Sequence, residues 1–118
     1  MNTKETINLI EKLIELTQKN VIKWKISNMY PMLSDMEKFD TIFSTDYLEQ
    51  KIRVYKFFYR HYRDEDEFYW LEEYKLEIFD EQNNTLFNFP IVPNTKDLLN
   101  AVMYQNSNVE DFYKNLMS

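Results

Sequence analysis

The stretch YKFFYRHYRDEDEFYWLEEYKLEIF, residues 55–79, decides how the chain folds. It falls into an aromatic and basic block, four consecutive acids, and an aromatic and acidic block. β-Branched and aromatic residues dominate residues 52–62 and about 69–79, which predicts two long strands meeting at the acidic turn. Five basic residues and no acid lie between Lys51 and Arg63, whereas nine acids between Asp64 and Glu81 are offset only by Lys75. Opposite charges on adjacent strands predict an antiparallel hairpin. One register sets Arg60 against Glu73 and Lys56 against Glu77 on one side. On the other it sets Tyr55 against Ile78, Phe57 against Leu76 and Tyr59 against Tyr74, with Arg53 opposite Asp80 and His61 opposite Glu72 at its ends. A shifted register brings Lys56 against Lys75, a like-charge contact, and is disfavoured for that reason. Exposed pairs contribute only about 0.2–1 kcal/mol each, so they set register more than stability.

Working outward, residues 41–47 read as a further strand, with LEQK as a short hairpin loop before the long pair. VIKWKI alternates Ile22, Trp24 and Ile26 against lysines, as a half-buried strand does. Beyond the long pair, residues 80–84 form a polar loop, and TLFNF is a shorter strand closed by Pro90. SNMYPMLSDMEKFD, residues 27–40, reads as a connection holding a short turn of helix.

Helices flank this β-rich centre. Residues 3–19 place Ile7, Ile10, Leu13, Ile14 and Thr17 on one side of a helix, and Asn2 with Glu5 forms a capping box, with Thr3 as the other candidate cap. Asn20 is the expected stop. A second helix starts at Asn94 or Thr95, with Leu98, Leu99, Val102 and Met103 as its stripe. A third starts at Asn108 and is expected to bury Val109, Phe112 and Leu116. The order predicts an α+β domain over residues 1–118: an N-terminal helix, an antiparallel sheet of four to five strands, and C-terminal helices packed on one face.

Composition removes whole classes of function. Among 118 residues, 44% hydrophobic, there is no glycine and no cysteine. Phosphate-binding loops, dinucleotide fingerprints, nucleophile elbows and EF-hand loops need a residue without Cβ where the backbone turns or meets a ligand, so none is present in its usual form. Positive-φ positions then fall to residues such as Asn83, Asn84 and Asn106. Without cysteine there are no disulfides, thiol nucleophiles or thiolate zinc sites, which suits a reducing compartment. No membrane span or secretory signal is visible, so a cytoplasmic location is expected.

Chemistry-bearing residues are sparse. His61 is the only histidine; no spacing builds a triad around it, and sites needing several imidazoles are excluded. The acids Asp64, Glu65, Asp66 and Glu67 lack the glycine and distal glutamate of a calcium loop and read as an exposed turn. Twenty acids allow many carboxylate pairs, so no one pair points to hydrolysis. No catalytic residue, cofactor or metal site is therefore expected.

Two surfaces remain. An acidic and aromatic one comprises Tyr62, Glu65, Asp66, Glu67, Phe68, Trp70, Glu72 and Glu73, and suits a protein partner; the plain alternative is a solvated, charge-paired hairpin. A basic and aromatic one comprises Lys56, Phe58, Arg60 and Tyr62, which alternate onto one side of their strand and suit single-stranded nucleic acid. The net charge of −6 opposes phosphate binding unless the cations are segregated on one face. A long aromatic edge strand also allows a homodimer by strand addition.

The segments LIELTQKNVIKWKI, YKLEIFDEQNNTLF and DLLNAVMYQNSNVEDFYKNL together resemble small uncharacterised proteins of low-GC bacteria and their mobile elements. The resemblance carries no catalytic residue and implies a setting in which small partner-binding proteins, including immunity and anti-defence proteins, are common. The expected function is a non-enzymatic protein-binding module, with single-stranded nucleic-acid binding as the alternative.

Overall fold

The computed structural model describes residues 1–31 and 33–118. Helix α1 (Thr3–Gln18) is followed by strands β1 (Lys25–Ile26), β2 (Glu37–Phe39), β3 (Phe43–Tyr47), β4 (Gln50–Tyr62), β5 (Phe68–Phe79) and β6 (Thr85–Asn88), then by helices α2 (Thr95–Asn106) and α3 (Val109–Met117). All strand pairings are antiparallel. The sheet runs β1-β3-β4-β5-β6, with β2 paired to the distal part of β4 beyond β3. This is the α+β arrangement the sequence predicts, with the VIKWKI strand shortened to β1 and one short strand, β2, added.

The start of α1 follows its capping box: Asn2 Oδ1 accepts from the Glu5 amide at 2.8 Å, and the Asn2 amide donates to Glu5 Oε1 at 3.1 Å. At the other end Asn20 takes φ 59°, so a residue tolerant of the left-handed region ends the helix where glycine is lacking. Ile22 and Trp24 then turn inward as expected, and the indole donates to Thr17 Oγ1 at 2.9 Å. Ile26 is exposed, because only Lys25 and Ile26 pair with β3.

The main core lies between one face of the sheet and the helices. Ile52 and Val54 of β4 and Leu76 of β5 pack with Ile10 and Leu13 of α1 and Leu98, Leu99 and Val102 of α2. Each such buried side chain is worth about 1.5–3 kcal/mol. A smaller cluster on the opposite face joins Ile42, Tyr55 and Phe57 to Leu33 and Phe39. The segment read from sequence as a connection with a helical turn thus supplies a strand: Phe39 pairs with Phe57.

That two-sided core also corrects the hairpin register. Arg53 faces Glu77, Val54 faces Leu76, Lys56 faces Tyr74, and Arg60 faces Trp70; neither Arg60–Glu73 nor Lys56–Glu77 forms. An odd-numbered shift moves every side chain of one strand to the other face. The charge-matched register would have put Leu76 and Ile78 on the face of Tyr55 and Phe57, away from Ile52 and Val54. Burial beneath the helices outweighs surface pairs worth a fraction as much.

Four further expectations fail. The β3–β4 loop is only Leu48 and Glu49, both at positive φ, rather than LEQK; of the three asparagines expected at positive φ, only Asn83 is found there. In α3, Val109, Phe112 and Leu116 are exposed and no residue is buried, while Met103 of α2 also faces out.

Candidate functional site

Strands of twelve or thirteen residues reach about 40 Å, and α1 and α2 cover only part of that length. Residues 61–70 are all exposed, so the paired ends of β4 and β5 form an arm beyond the helical layer. Side-chain alternation sorts the arm into two faces.

Lys56, Phe58, Arg60 and Tyr62 of β4, with Phe68, Trp70 and Glu72 of β5, project to the helix side but beyond the helices, and Tyr74, packed against the main core, borders them. Lys38 of β2, opposite Phe58, joins them. The cations lie over rings. Lys38 Nζ is 4.3 Å from the Trp70 centroid and 5.3 Å from that of Phe58. Arg60 Cζ is 4.5 Å from the Phe68 centroid and 5.4 Å from that of Trp70. Phe68 and Trp70 meet edge to face at 5.9 Å, and Lys96 of α2 stands 6.0 Å from the Tyr74 ring at the border of the patch. Such contacts are worth about 0.5–1 kcal/mol each when exposed.

Acids are scarce on this face. Glu72 binds Lys56 Nζ at 2.9 Å, and that contact is the largest influence raising the lysine's pKa. Arg60 has no carboxylate partner among the described residues: its Nη1 donates to the Tyr62 hydroxyl at 3.4 Å, and its buried Nε has no hydrogen-bond partner. A guanidinium held against two rings with donors to spare is prepared for a carboxylate, phosphate or carbonyl oxygen.

The opposite face carries Tyr59, His61, Tyr69, Leu71, Glu73 and Lys75. The His61 and Tyr69 rings meet at a tilt with centroids 5.0 Å apart, and Lys75 Nζ lies 4.0 Å from the Phe57 ring centroid. Desolvation, helped by Glu73, raises the Tyr59 phenol. Between the faces, the Arg63 amide donates to the Glu67 carbonyl at 2.9 Å, and Asp64 Oδ1 accepts from the Asp66 and Glu67 amides at 2.9 and 3.0 Å. Asp64 therefore builds the turn, leaving Glu65, Asp66 and Glu67 exposed at its tip.

The acidic and aromatic set is accordingly divided: Tyr62, Phe68, Trp70 and Glu72 share the helix-side face, Glu65, Asp66 and Glu67 rim it at the tip, and Glu73 lies on the other face. Lys56, Phe58, Arg60 and Tyr62 do share one face. Lys38 and Lys96 were not foreseen. The alternation in MEKFD could have revealed Lys38, but Lys96 reaches the patch only through the packing of α2.

Elsewhere, Glu77 is buried and its Oε1 accepts from both Arg53 Nε and the Tyr55 hydroxyl. Among the described residues no three acidic or histidine side chains converge to hold a metal ion, and no helix is long and apolar enough to cross a membrane. No protein-family model, curated protein or solved structure matches the chain.

Proposed function

We propose that the chain is a non-enzymatic protein-binding module that docks through the helix-side face of the β4–β5 arm. The observation that carries this reading is the exposed cluster of Tyr62, Phe68 and Trp70 around Arg60, with half-buried Phe58 beside it. Aromatic and arginine side chains dominate binding energies at protein interfaces. Because paired strands and ring–cation contacts already order these side chains, docking would cost little conformational entropy. Arg60 would anchor an acceptor on the partner, and the acids at the tip would favour approach of a surface that is basic at its margin.

The test is capture of partners from a nuclease-treated bacterial lysate on immobilised protein, comparing the parent chain with Trp70→Ala, Arg60→Ala and Glu72→Lys. A stoichiometric protein should be retained by the parent, with at least tenfold weaker retention by each variant at unchanged thermal stability. Equal retention by all three would remove the arm from the reading.

A second reading, single-stranded nucleic-acid binding, is favoured by the placement of Lys56, Phe58, Arg60 and Tyr62 on one face with Lys38 beside them. Against it, Lys38 and Arg60 already occupy ring faces on which bases would stack, and the chain carries a net charge of −6. Anisotropy of a labelled oligonucleotide decides the matter. Binding that weakens steeply between low and moderate salt supports the second reading, and no binding at low salt eliminates it.

A further inference from the structure

We infer that the distal edge of β5 is the docking site for a second copy of this chain, joined antiparallel to its own β5 about a two-fold axis at Leu71. The inference rests on the edge of the sheet rather than on the face proposed above, and stands independently of it.

β6 pairs with β5 only at Glu77, Ile78 and Phe79, and the Phe89 amide donates to the Leu76 carbonyl at 3.0 Å. The chain leaves the edge at Pro90. From Phe68 to Lys75, β5 has no strand partner on that side among the described residues. In an antiparallel ladder the amide and carbonyl of one residue point to the same side, and successive residues alternate. Since the Leu76 carbonyl points toward β6, Phe68, Trp70, Glu72 and Tyr74 direct their backbone groups to the open edge. Soluble proteins usually protect such an edge with proline, a bulge, charged side chains or a covering segment; among the described residues the segment 89–91 borders this edge only near Glu73 and Lys75, and no proline or bulge lies in β5 from Phe68 to Lys75.

The sequence selects both the occupant and its register. Backbone groups of two copies meet only where even-numbered residues face even-numbered ones. With Leu71 opposite Leu71, Trp70 faces Glu72, Phe68 faces Tyr74, Tyr69 faces Glu73, and Glu67 faces Lys75. No like charges oppose one another. Moving the axis to Trp70 sets Glu67 against Glu73; moving it to Glu72 or Glu73 sets that glutamate against itself. Lys75 makes no ion pair within its own chain among the described residues, so the partner copy would supply its carboxylate. Roughly eight backbone hydrogen bonds would close the seam, giving one continuous sheet with both aromatic faces on it.

Sedimentation equilibrium over a concentration series tests this. The parent chain should approach twice its 14.6 kDa, Lys75→Glu should weaken the dimer at least tenfold, and Glu67→Lys with Lys75→Glu should restore it. The chain has no cysteine, so Leu71→Cys adds one thiol. At a non-hydrogen-bonded antiparallel pair the two Cα atoms lie about 4.5 Å apart, within disulfide reach, and oxidation should yield a covalent dimer. A monomer at every concentration, a charge swap without rescue, or no cross-link from Leu71→Cys would each overturn the inference. Arg60→Ala should weaken partner capture yet leave the dimer unchanged, so the two proposals can fail separately.

Discussion

Arg53 Nε donates to Glu77 Oε1 at 2.9 Å inside the sheet, with the side chains 0% and 5% exposed. Nη1 donates to Asn83 Oδ1 at 2.6 Å and Nη2 to Thr85 Oγ1 at 2.9 Å, and Arg53 Cζ lies 4.6 Å from the Phe79 centroid. Asn83 Nδ2 in turn donates to the Tyr30 carbonyl. One buried cation thereby ties β4, β5, the loop before β6 and the segment leading to β2. Such a pair contributes less than its distance suggests, because both charges give up water, but leaving one partner alone is costly.

Glu77→Ala should therefore destabilise the chain by about 3–5 kcal/mol, since Arg53 would remain buried without its counter-charge. Replacing both, Arg53→Met with Glu77→Leu, should cost much less than the sum of the two single changes. Urea unfolding of the four proteins measures the coupling. Strict additivity would mean that the pair does not interact as described.

Tyr55 gives a pH signature of the same network. Its hydroxyl donates to Glu77 Oε1 at 2.9 Å, and desolvation first, then the Glu77 charge, raises its pKa far above the ordinary phenol value. In the unfolded chain Tyr55 ionises near pH 10, whereas in the folded protein it stays protonated. Stability from this group is thus fully present below about pH 10 and is lost as pH rises, approaching about 1.4 kcal/mol per pH unit. Tyr55→Phe should flatten the stability profile between about pH 10 and 11. An unchanged slope would assign the alkaline loss to other groups, such as Lys56 or Tyr59.

Leu48 and Glu49 occupy φ 49° and 66° in the two-residue turn between Tyr47 and Gln50. This geometry favours Asn-Gly, and residues with a larger Cβ substituent hold it under strain. Replacing the pair by Asn-Gly should raise stability by about 1 kcal/mol, read as a later urea midpoint with an unchanged slope. No gain would show that the strain is relieved locally.

The turn also shows why some of the fold was legible in sequence and some was not. Long strands, the capping box and the inward Trp24 announce themselves through local pattern. The hairpin register does not, because charges on the surface of 55–79 suggest one alignment while the placement of Ile52, Val54 and Leu76 beneath α1 and α2 imposes another. Nor could LEQK reveal that Leu48 and Glu49 alone would turn. At the candidate site, alternation places Lys56, Phe58, Arg60 and Tyr62 on one face, whereas grouping Glu73 with Glu72 by acidity alone ignores that neighbouring residues of a strand point to opposite faces.

Gln105 fastens the region after α1. Its Oε1 accepts from the Trp24 amide at 2.8 Å, while Nε2 donates to the Ile22 carbonyl at 2.8 Å and the Thr17 carbonyl at 3.1 Å. Gln105→Ala should cost about 1–3 kcal/mol by stranding these backbone groups and should change the fluorescence environment of Trp24. Gln105→Glu should also destabilise, because a carboxylate cannot donate to the two carbonyls. Parent-like stability in both variants would show that water replaces the side chain without loss.

The third helix separates pattern from packing most sharply. Val109, Phe112 and Leu116 have helical spacing, yet they are 40%, 65% and 66% exposed, whereas Leu98 of α2 is 0% exposed. An apolar stripe stabilises a fold only when something covers it. Phe112→Ser and Leu116→Ser should therefore change unfolding free energy by less than about 0.5 kcal/mol, while Leu98→Ala should cost about 2–5 kcal/mol. A loss above about 1 kcal/mol at Phe112, well outside the usual surface range, would mean that α3 packs its apolar stripe against the rest of the fold.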